Sequence, residues 1–271
     1  MDFFSRFYLV RLINRKLRVK ETREPTGLSN SSFFPHLAVP SIVADLVDRG
    51  FNDEIFLSEV HVMNILNDCE SQYCDGDGQA TWPFRYHEKS ESEEKYGKVF
   101  SSAVYKGVLN HFASIRALSE DPTLLTIAKQ YIGNTASFMD CRLWWTFTAP
   151  AEDYDTELTA SFFHYDKDDY ACLRLFFYLT DVDDTAGPHH VILTSHRKKT
   201  LAQMFSLGER SQEHLLAHYG EKNHVVVCGS RGQGFLEDPF CFHRASRPLL
   251  RDRLVLQLRY ATKDYGVFND N

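Results

Sequence analysis

Apolar residues repeat at helical spacing in the first half of the chain. Two such runs, Ser41–Gly50 and Leu57–Cys69, predict helices, and a third helix is predicted over 121–133, where an aspartate suited to capping precedes a proline. The run 99–118 is also predicted to be helical. Segment 72–98 is polar and lacks periodicity, which predicts a loop.

From residue 137 onward the pattern changes to short stretches rich in β-branched and aromatic residues, bounded by glycine, proline and aspartate. A helical pattern over about 195–221 interrupts them. We therefore expect one domain over 1–271, with mainly helical support over 1–135 and a β core with one helical insertion over 136–271. The predicted strands are Phe138–Thr148, Tyr170–Leu179, Val225–Cys228 and Arg253–Tyr260.

Composition and charge exclude some classes of protein. The 271 residues are 43% hydrophobic and 25% charged, with a formal net charge of −7, so the positive charge expected of a nucleic-acid-binding protein is missing. The first apolar stretch is cut off by Arg11, which excludes a signal peptide or membrane span there, and we expect a cytoplasmic protein. Six cysteines without CxxC spacing indicate reduced packing residues.

The first 24 residues carry seven arginines and lysines against three acidic residues. Apolar positions within this segment recur at helical spacing, so it predicts a packed helix with a solvated basic face. The alternative is a basic amphipathic helix that contacts an anionic membrane surface.

One His-x-Asp pair is placed where it could bind a metal. His164 and Asp166 precede the apolar strand predicted over 170–179, and alternate residues of an extended chain project to the same side. With His243 as the candidate third ligand, they would form the two-histidine, one-carboxylate triad that leaves positions on iron(II) open for a cosubstrate and dioxygen.

Arg253 is a charged residue on a face that should be interior. In the strand over 253–260 it shares that face with Val255 and Gln257, while the alternate leucines face the other layer. A buried guanidinium needs a partner, and a carboxylate that accepts two hydrogen bonds is the natural one. A diacid cosubstrate would supply that carboxylate.

In order and spacing, these motifs together resemble the phytanoyl-CoA dioxygenase family of iron(II)- and 2-oxoglutarate-dependent oxygenases, over about Ser41–Thr262. The segments that carry the resemblance are His164-Tyr165-Asp166, the strand Leu173–Val182, Gly187-Pro188-His189-His190, Thr194-Ser195-His196, His243 and Arg253.

The resemblance implies a mostly β fold, a double-stranded β-helix (jelly-roll, cupin-like) barrel with N-terminal supporting helices. It also implies that His164, Asp166 and His243 bind iron and that Arg253 holds the distal carboxylate of 2-oxoglutarate. The implied reaction uses O2 and 2-oxoglutarate to hydroxylate a C–H bond of a small-molecule metabolite, releasing succinate and carbon dioxide. Because Asp166 is present, hydroxylation is favoured over halogenation.

Two further residues are candidates for binding the cosubstrate. Family members commonly place Gly-Ser directly after the distal histidine, whereas this chain has Arg244-Ala245-Ser246, which makes Ser246 the candidate hydroxyl. Arg174 would contact cosubstrate or substrate, or alternatively form an ion pair with Asp168 or Asp169.

Two other functions stay open. A cupin-like isomerase or lyase would use the same fold with another metal, although the interior Arg253, ten residues after His243, argues against it. A catalytically silent relative would act as a binding protein, although the complete ligand set argues against that reading. Neither the substrate nor the oligomeric state is indicated by the sequence.

Overall fold

The computed structural model describes residues 3–18, 33–166, 170–205 and 210–263, which form two packed antiparallel β-sheets and supporting helices. The strands are β1 (Phe51–Phe56), β2 (Cys74–Gly76), β3 (Pro83–Phe84), β4 (Ser102–Tyr105), β5 (Ser137–Thr146), β6 (Cys172–Tyr178), β7 (His189–Ile192), β8 (His224–Val227), β9 (Gln233–Glu237), β10 (Phe242–Ala245) and β11 (Arg253–Ala261).

Helices lie mainly in the N-terminal half and in the predicted insertion. They are α1 (Tyr8–Arg18), α2 (Val39–Arg49), α3 (Glu59–Ser71), α4 (Lys89–Tyr96), α5 (Val108–His111), α6 (Ala113–Ser119), α7 (Pro122–Ile132), α8 (Leu201–Phe205) and α9 (Gln212–Tyr219). In α7 the Asp121 carboxylate accepts hydrogen bonds from the first-turn amides of Thr123 and Leu124, which confirms the predicted cap. Helix α2 ends as predicted at Gly50, whose φ of 77° suits glycine.

The larger sheet has the strand order β1-β9-β6-β11-β5-β4-β2-β3, and the smaller sheet has the order β10-β7-β8. Side chains from both sheets meet in one apolar cluster that includes Phe176, Val191 and Val255. This arrangement is a double-stranded β-helix, so the predicted fold class, with supporting helices and a helical insertion, is confirmed.

Strand β11 shows why the site lies between the sheets. Leu254, Leu256 and Leu258 belong to the large core cluster that the helices share with the outer face of the sheet. Arg253 and Val255 point the other way, into a cavity between the sheets. The alternation predicted from the sequence is therefore present, with one apolar face and one face that carries polar residues.

The N-terminal half contains more β structure than predicted. Strand β1 lies between the two predicted helices, and β4 occupies part of the 99–118 run that was predicted to be wholly helical. All four residues of β4 are buried, and a short fully buried apolar run has no periodicity that separates strand from helix. The predicted loop over 72–98 instead contains β2, β3 and α4.

The prediction of a solvated basic face on the N-terminal helix is wrong for Arg11, while the side chains of Lys16 and Arg18 lie outside what the structure describes. Arg11 is buried, with its guanidinium 3.7 Å from the Phe240 ring centroid and 3.7 Å from the Asp238 carboxylate. Apolar side chains of α1 face solvent instead, including Leu9 and Ile13. Residues 19–24 of the basic segment lie outside the described residues.

The six cysteines are all free thiols. None of the six cysteines is in a disulfide, and all except Cys228 are buried, which agrees with a packing role. Burial raises the pKa of the Cys69 thiol to about 12, so this thiol stays protonated. Within the described ranges, no helix has the length and apolar character needed to span a membrane.

Candidate metal centre

His164, Asp166 and His243 come together at one end of the space between the sheets. One ligand atom from each lies within 4.8 Å of the other two. The His164 Nε2 is 3.8 Å from Asp166 Oδ1, and the His243 Nε2 is 3.5 Å from Asp166 Oδ2. This geometry brings together the three ligands that the sequence predicted.

Backbone hydrogen bonds produce this convergence. The amides of His164 and His243 each donate to the carbonyl of the other, at 3.0 and 2.8 Å, in an isolated antiparallel bridge. The Asp166 amide donates to the Pro239 carbonyl, 2.8 Å away. His164 and Asp166 therefore lie in a bridged extended segment next to β10, before the regular strand β6, as predicted.

Both imidazoles are oriented so that Nε2 faces the cluster. The His164 Nδ1 lies 2.9 Å from the Phe162 carbonyl, and the His243 Nδ1 lies 3.0 Å from the Cys241 carbonyl. Because a carbonyl can only accept, each Nδ1 carries a proton, and each Nε2 is the ring nitrogen left to bind a metal. Two such nitrogens and a carboxylate oxygen are a donor set that fits a divalent transition metal.

The pKa shifts of His164 and Asp166 suit metal binding. Burial alone would lower the pKa of His243, but the Glu237 and Asp166 carboxylates outweigh it and raise this pKa. Burial lowers the pKa of His164 to about 4, with a further contribution from His243, so its imidazole is neutral near pH 7. Burial alone would raise the pKa of Asp166, but Arg174 and the two imidazoles outweigh it and hold this pKa well below its usual range. The Asp166 carboxylate is therefore ionised.

Arg174 forms an ion pair with Asp166, which is itself a candidate metal ligand. The alternative prediction named Asp168 and Asp169, which lie outside the described residues. Arg174 also lines the cavity between the sheets, so its predicted contact with cosubstrate or substrate stays a prediction.

Arg253 lies in the same cavity as the three candidate ligands. It is 3% exposed, and its guanidinium donates to the Gly187 carbonyl and, at 3.3 Å, to Thr146 Oγ1. Its Nε has no hydrogen-bond partner among the described residues. A buried guanidinium with an unused donor and no carboxylate partner shown there is suited to binding the carboxylate of a small diacid.

The cavity has a volume of about 250 Å³ and is lined from both sheets. Aromatic walls come from Trp144, Phe176, Tyr178 and Phe235, and the polar lining includes Arg142 and Gln257. Trp145, the neighbour of Trp144, is buried in the helix-side core and stacks on Tyr86 at 3.8 Å between ring centroids. Trp145 is therefore a packing residue, whereas Trp144 faces the cavity.

Ser246 directs its hydroxyl away from this cavity lining. Its Oγ lies 2.6 Å from His190 Nε2, and Ser246 is absent from the residues that line the cavity. The predicted role of Ser246 in binding cosubstrate stays a prediction, to which this geometry adds a competing partner. Of the histidines that follow Gly187, His189 lines the cavity, while the His196 ring packs near Cys241.

One buried carboxylate beside the ligands was missed by sequence reasoning. Glu237, at the end of β9, is 0% exposed; its Oε2 lies 2.8 Å from His189 Nε2 and its Oε1 lies 3.6 Å from His243 Nδ1. The signal in the sequence was an acidic residue that ends the apolar stretch Gly234-Phe235-Leu236, six positions before His243.

The fold resembles that of solved non-haem 2-oxoglutarate-dependent enzymes. The epimerase SnoN of nogalamycin biosynthesis is 14% identical with a TM-score of 0.56, over 83% of this chain and 82% of SnoN. The carbocyclase SnoK of the same biosynthesis is 15% identical with a TM-score of 0.53, over 85% and 86%. HygX of Streptomyces hygroscopicus, solved with nickel, 2-oxoglutarate and hygromycin B, is 14% identical with a TM-score of 0.53, over 82% and 86%.

No protein-family model and no curated protein matches the chain. At these identities the structural likeness establishes the fold alone. The resemblance to the phytanoyl-CoA dioxygenase family is therefore neither established nor contradicted by the comparisons.

Proposed function

We propose that this chain is an iron(II)- and 2-oxoglutarate-dependent oxygenase, related to the phytanoyl-CoA dioxygenases, that hydroxylates a C–H bond of a small molecule in the cytoplasm. The observation that carries the proposal is the presence of His164, Asp166, His243 and Arg253 in one cavity. The same fold in SnoN, solved with Fe3+ and alpha-ketoglutarate, and in HygX supports it.

Each residue has a distinct role in this proposal. His164, Asp166 and His243 would hold the iron, leaving positions for 2-oxoglutarate and O2. Arg253 would bind the distal carboxylate of 2-oxoglutarate, since its Nε is an unused buried donor among the described residues. Bound iron supplies the oxygen-activating chemistry, while the aromatic walls exclude water and position the substrate.

Hydroxylation is the reaction that this ligand set favours. The Asp166 carboxylate would occupy the metal position that a halide needs in a halogenating enzyme, so halogenation is not favoured. In the balanced reaction one oxygen atom of O2 enters the substrate hydroxyl and the other enters succinate, while carbon dioxide leaves. SnoN is named an epimerase and SnoK a carbocyclase, so product analysis by mass spectrometry has to establish the gain of one oxygen atom.

The proposal is tested with protein purified without oxygen, to which iron(II) and 2-oxoglutarate are added. We expect the weak visible charge-transfer band of an iron–2-oxoglutarate chelate, which is lost in Asp166→Ala and needs more 2-oxoglutarate in Arg253→Ala. Iron binding without a band would contradict the oxygenase proposal and favour a different metalloenzyme or a binding protein. A normal band in Asp166→Ala would contradict the assigned ligand set.

A further inference from the structure

Two polar residues, Gln257 and Arg142, lie side by side on the cavity wall at a distance from Arg253. Gln257 on β11 is paired in register with Arg142 on β5, and both line the cavity. Gln257 lies four residues beyond Arg253, or about 13 Å along the strand. The four carbon–carbon bonds of 2-oxoglutarate cannot span that distance, so a cosubstrate anchored at Arg253 leaves this pair for another ligand.

The side-chain amide of Gln257 carries a hydrogen-bond donor that no described residue accepts. Gln257 is 4% exposed, and its Nε2 has no hydrogen-bond partner among the described residues. Burying an amide N–H without an acceptor is unfavourable, and Gln257 lines the cavity, where a bound ligand can supply that acceptor. An acceptor-rich group of the substrate is therefore expected opposite Gln257.

Arg142 adds positive charge to the same position. Its guanidinium carbon lies 5.1 Å from the Trp144 ring centroid, and this contact holds the group along the cavity wall. Among the described lining residues, four arginines, at positions 142, 174, 244 and 253, face a single acidic side chain, Asp166. Arginines therefore outnumber acidic side chains among the described residues that line the cavity.

We propose that the substrate is a small carboxylate whose anionic group is bound by Arg142 and Gln257, with its apolar body against Trp144. The guanidinium and the amide offer donors to the two oxygens of one carboxylate. This inference rests on the proposed function, because it assigns the substrate of the same cavity.

The test uses the full chain loaded with iron(II) and 2-oxoglutarate, and a metabolite extract of the cells that make the protein. The extract is split by anion exchange into a retained and a flow-through fraction. We expect the retained fraction to perturb the visible band without oxygen and to raise succinate release with oxygen, whereas the flow-through fraction does neither. Methyl esterification of the retained fraction, which removes carboxylate charge, should abolish both responses.

Several outcomes overturn this inference while leaving the proposed function in place. They are a response confined to the flow-through fraction, a response that survives esterification, and no response to either fraction although the visible band is present. If the band itself does not form, the proposed function fails, and the assignment of a substrate fails with it.

Single substitutions test where the anionic group of the substrate binds. In Arg142→Gln and Gln257→Leu we expect the amount of retained fraction needed for half of the maximal band perturbation to rise about tenfold or more, with Arg142→Lys between these and the natural protein. Arg231→Gln removes the same charge from an exposed arginine that pairs with Glu59, and serves as the matched control. The 2-oxoglutarate requirement of Arg142→Gln is measured as well. If it rises more than the requirement for the retained fraction, Arg142 belongs to the cosubstrate site and the inference is overturned.

Discussion

The Glu237 carboxylate contacts the His189 imidazole at 2.8 Å, between Oε2 and Nε2, and Glu237 has no exposed surface. Burial alone would raise the pKa of Glu237, but His243 and His189 outweigh it and lower this pKa, so the carboxylate is ionised. Its other oxygen lies 3.6 Å from His243 Nδ1. A fixed negative charge thus stands directly behind one candidate metal ligand.

Glu237→Gln is expected to weaken metal binding about 10- to 100-fold, the usual effect of removing a carboxylate that supports a ligating histidine. The glutamine keeps the size and a hydrogen-bonding oxygen but removes the charge that favours an electron-rich His243. The measurement is a competition titration of cobalt(II) against a chromophoric chelator.

Glu54→Gln provides the control for this substitution, because Glu54 is an exposed acidic residue on β1, the strand paired with β9. The two variants remove the same charge from neighbouring strands, one from a buried carboxylate and the other from an exposed one. Equal cobalt affinity in both variants and in the natural protein would show that Glu237 is only a packing residue.

Arg253→Lys and Arg253→Ala should separate charge from geometry at the cosubstrate position. Charge-assisted hydrogen bonds contribute about 1.5–3 kcal/mol, so the alanine variant should need roughly 10- to 100-fold more 2-oxoglutarate for half-maximal succinate release. Lysine restores the charge but not the paired donors, so its requirement should lie between the two. An unchanged requirement in Arg253→Ala would remove Arg253 from the cosubstrate site.

Ser246→Ala tests whether the Ser246 hydroxyl serves the cosubstrate or the neighbouring imidazole. Because Oγ lies 2.6 Å from His190 Nε2, we expect the free energy of unfolding to fall by about 1 kcal/mol and the 2-oxoglutarate requirement to change little. Urea unfolding and succinate release measure the two effects. An increase in the requirement like that of Arg253→Ala would instead place Ser246 at the cosubstrate.

The sequence predicted those elements whose signal lies in the residue types of neighbouring positions. In β11, leucines alternate with cavity-facing residues because one face packs on the helix-side core and the other faces the cavity. Helix α7 was predictable for a different local reason, the Asp121 cap followed by proline. Both signals depend on neighbouring residues only.

Other elements depend on tertiary contacts and gave no such signal. Helix α4 buries only Ser92, so it lacks an apolar stripe. A 2.9 Å ion pair between Lys89 and Glu93 and a left-handed Gly97 at its end stabilise it. Strand β4 was mistaken for helix because its pairing with β5 is remote in sequence.

The candidate site shows the same division. His164, Asp166 and His243 could be proposed from residue type and order, because metal ligation restricts both. The ion pair of Arg174 with Asp166 and the position of Glu237 behind His243 depend on how β6, β9 and β10 approach each other. Sequence spacing carries no information about those approaches.

His196 provides a test of stability that is separate from catalysis. It is 3% exposed, and burial lowers its pKa to about 4, below the ordinary value of 6.5. In the unfolded chain this histidine takes up a proton as the pH falls through 6.5, whereas the folded protein resists protonation until about pH 4. Stability is therefore lost as the pH falls between these values, because the unfolded state binds more protons.

His196→Gln should reduce the loss of stability between pH 6.5 and 4.5 by about 2 kcal/mol, because glutamine has no proton to take up. The Nε2 of His196 lies 3.4 Å from the Val47 carbonyl, and the glutamine amide can retain that donor. Urea unfolding of the metal-free protein across this pH range gives the slope directly. His214→Gln, at an exposed position on α9, is the matched control and should keep the slope of the natural protein. A parallel slope in His196→Gln would show that the acid sensitivity originates in the other buried histidines.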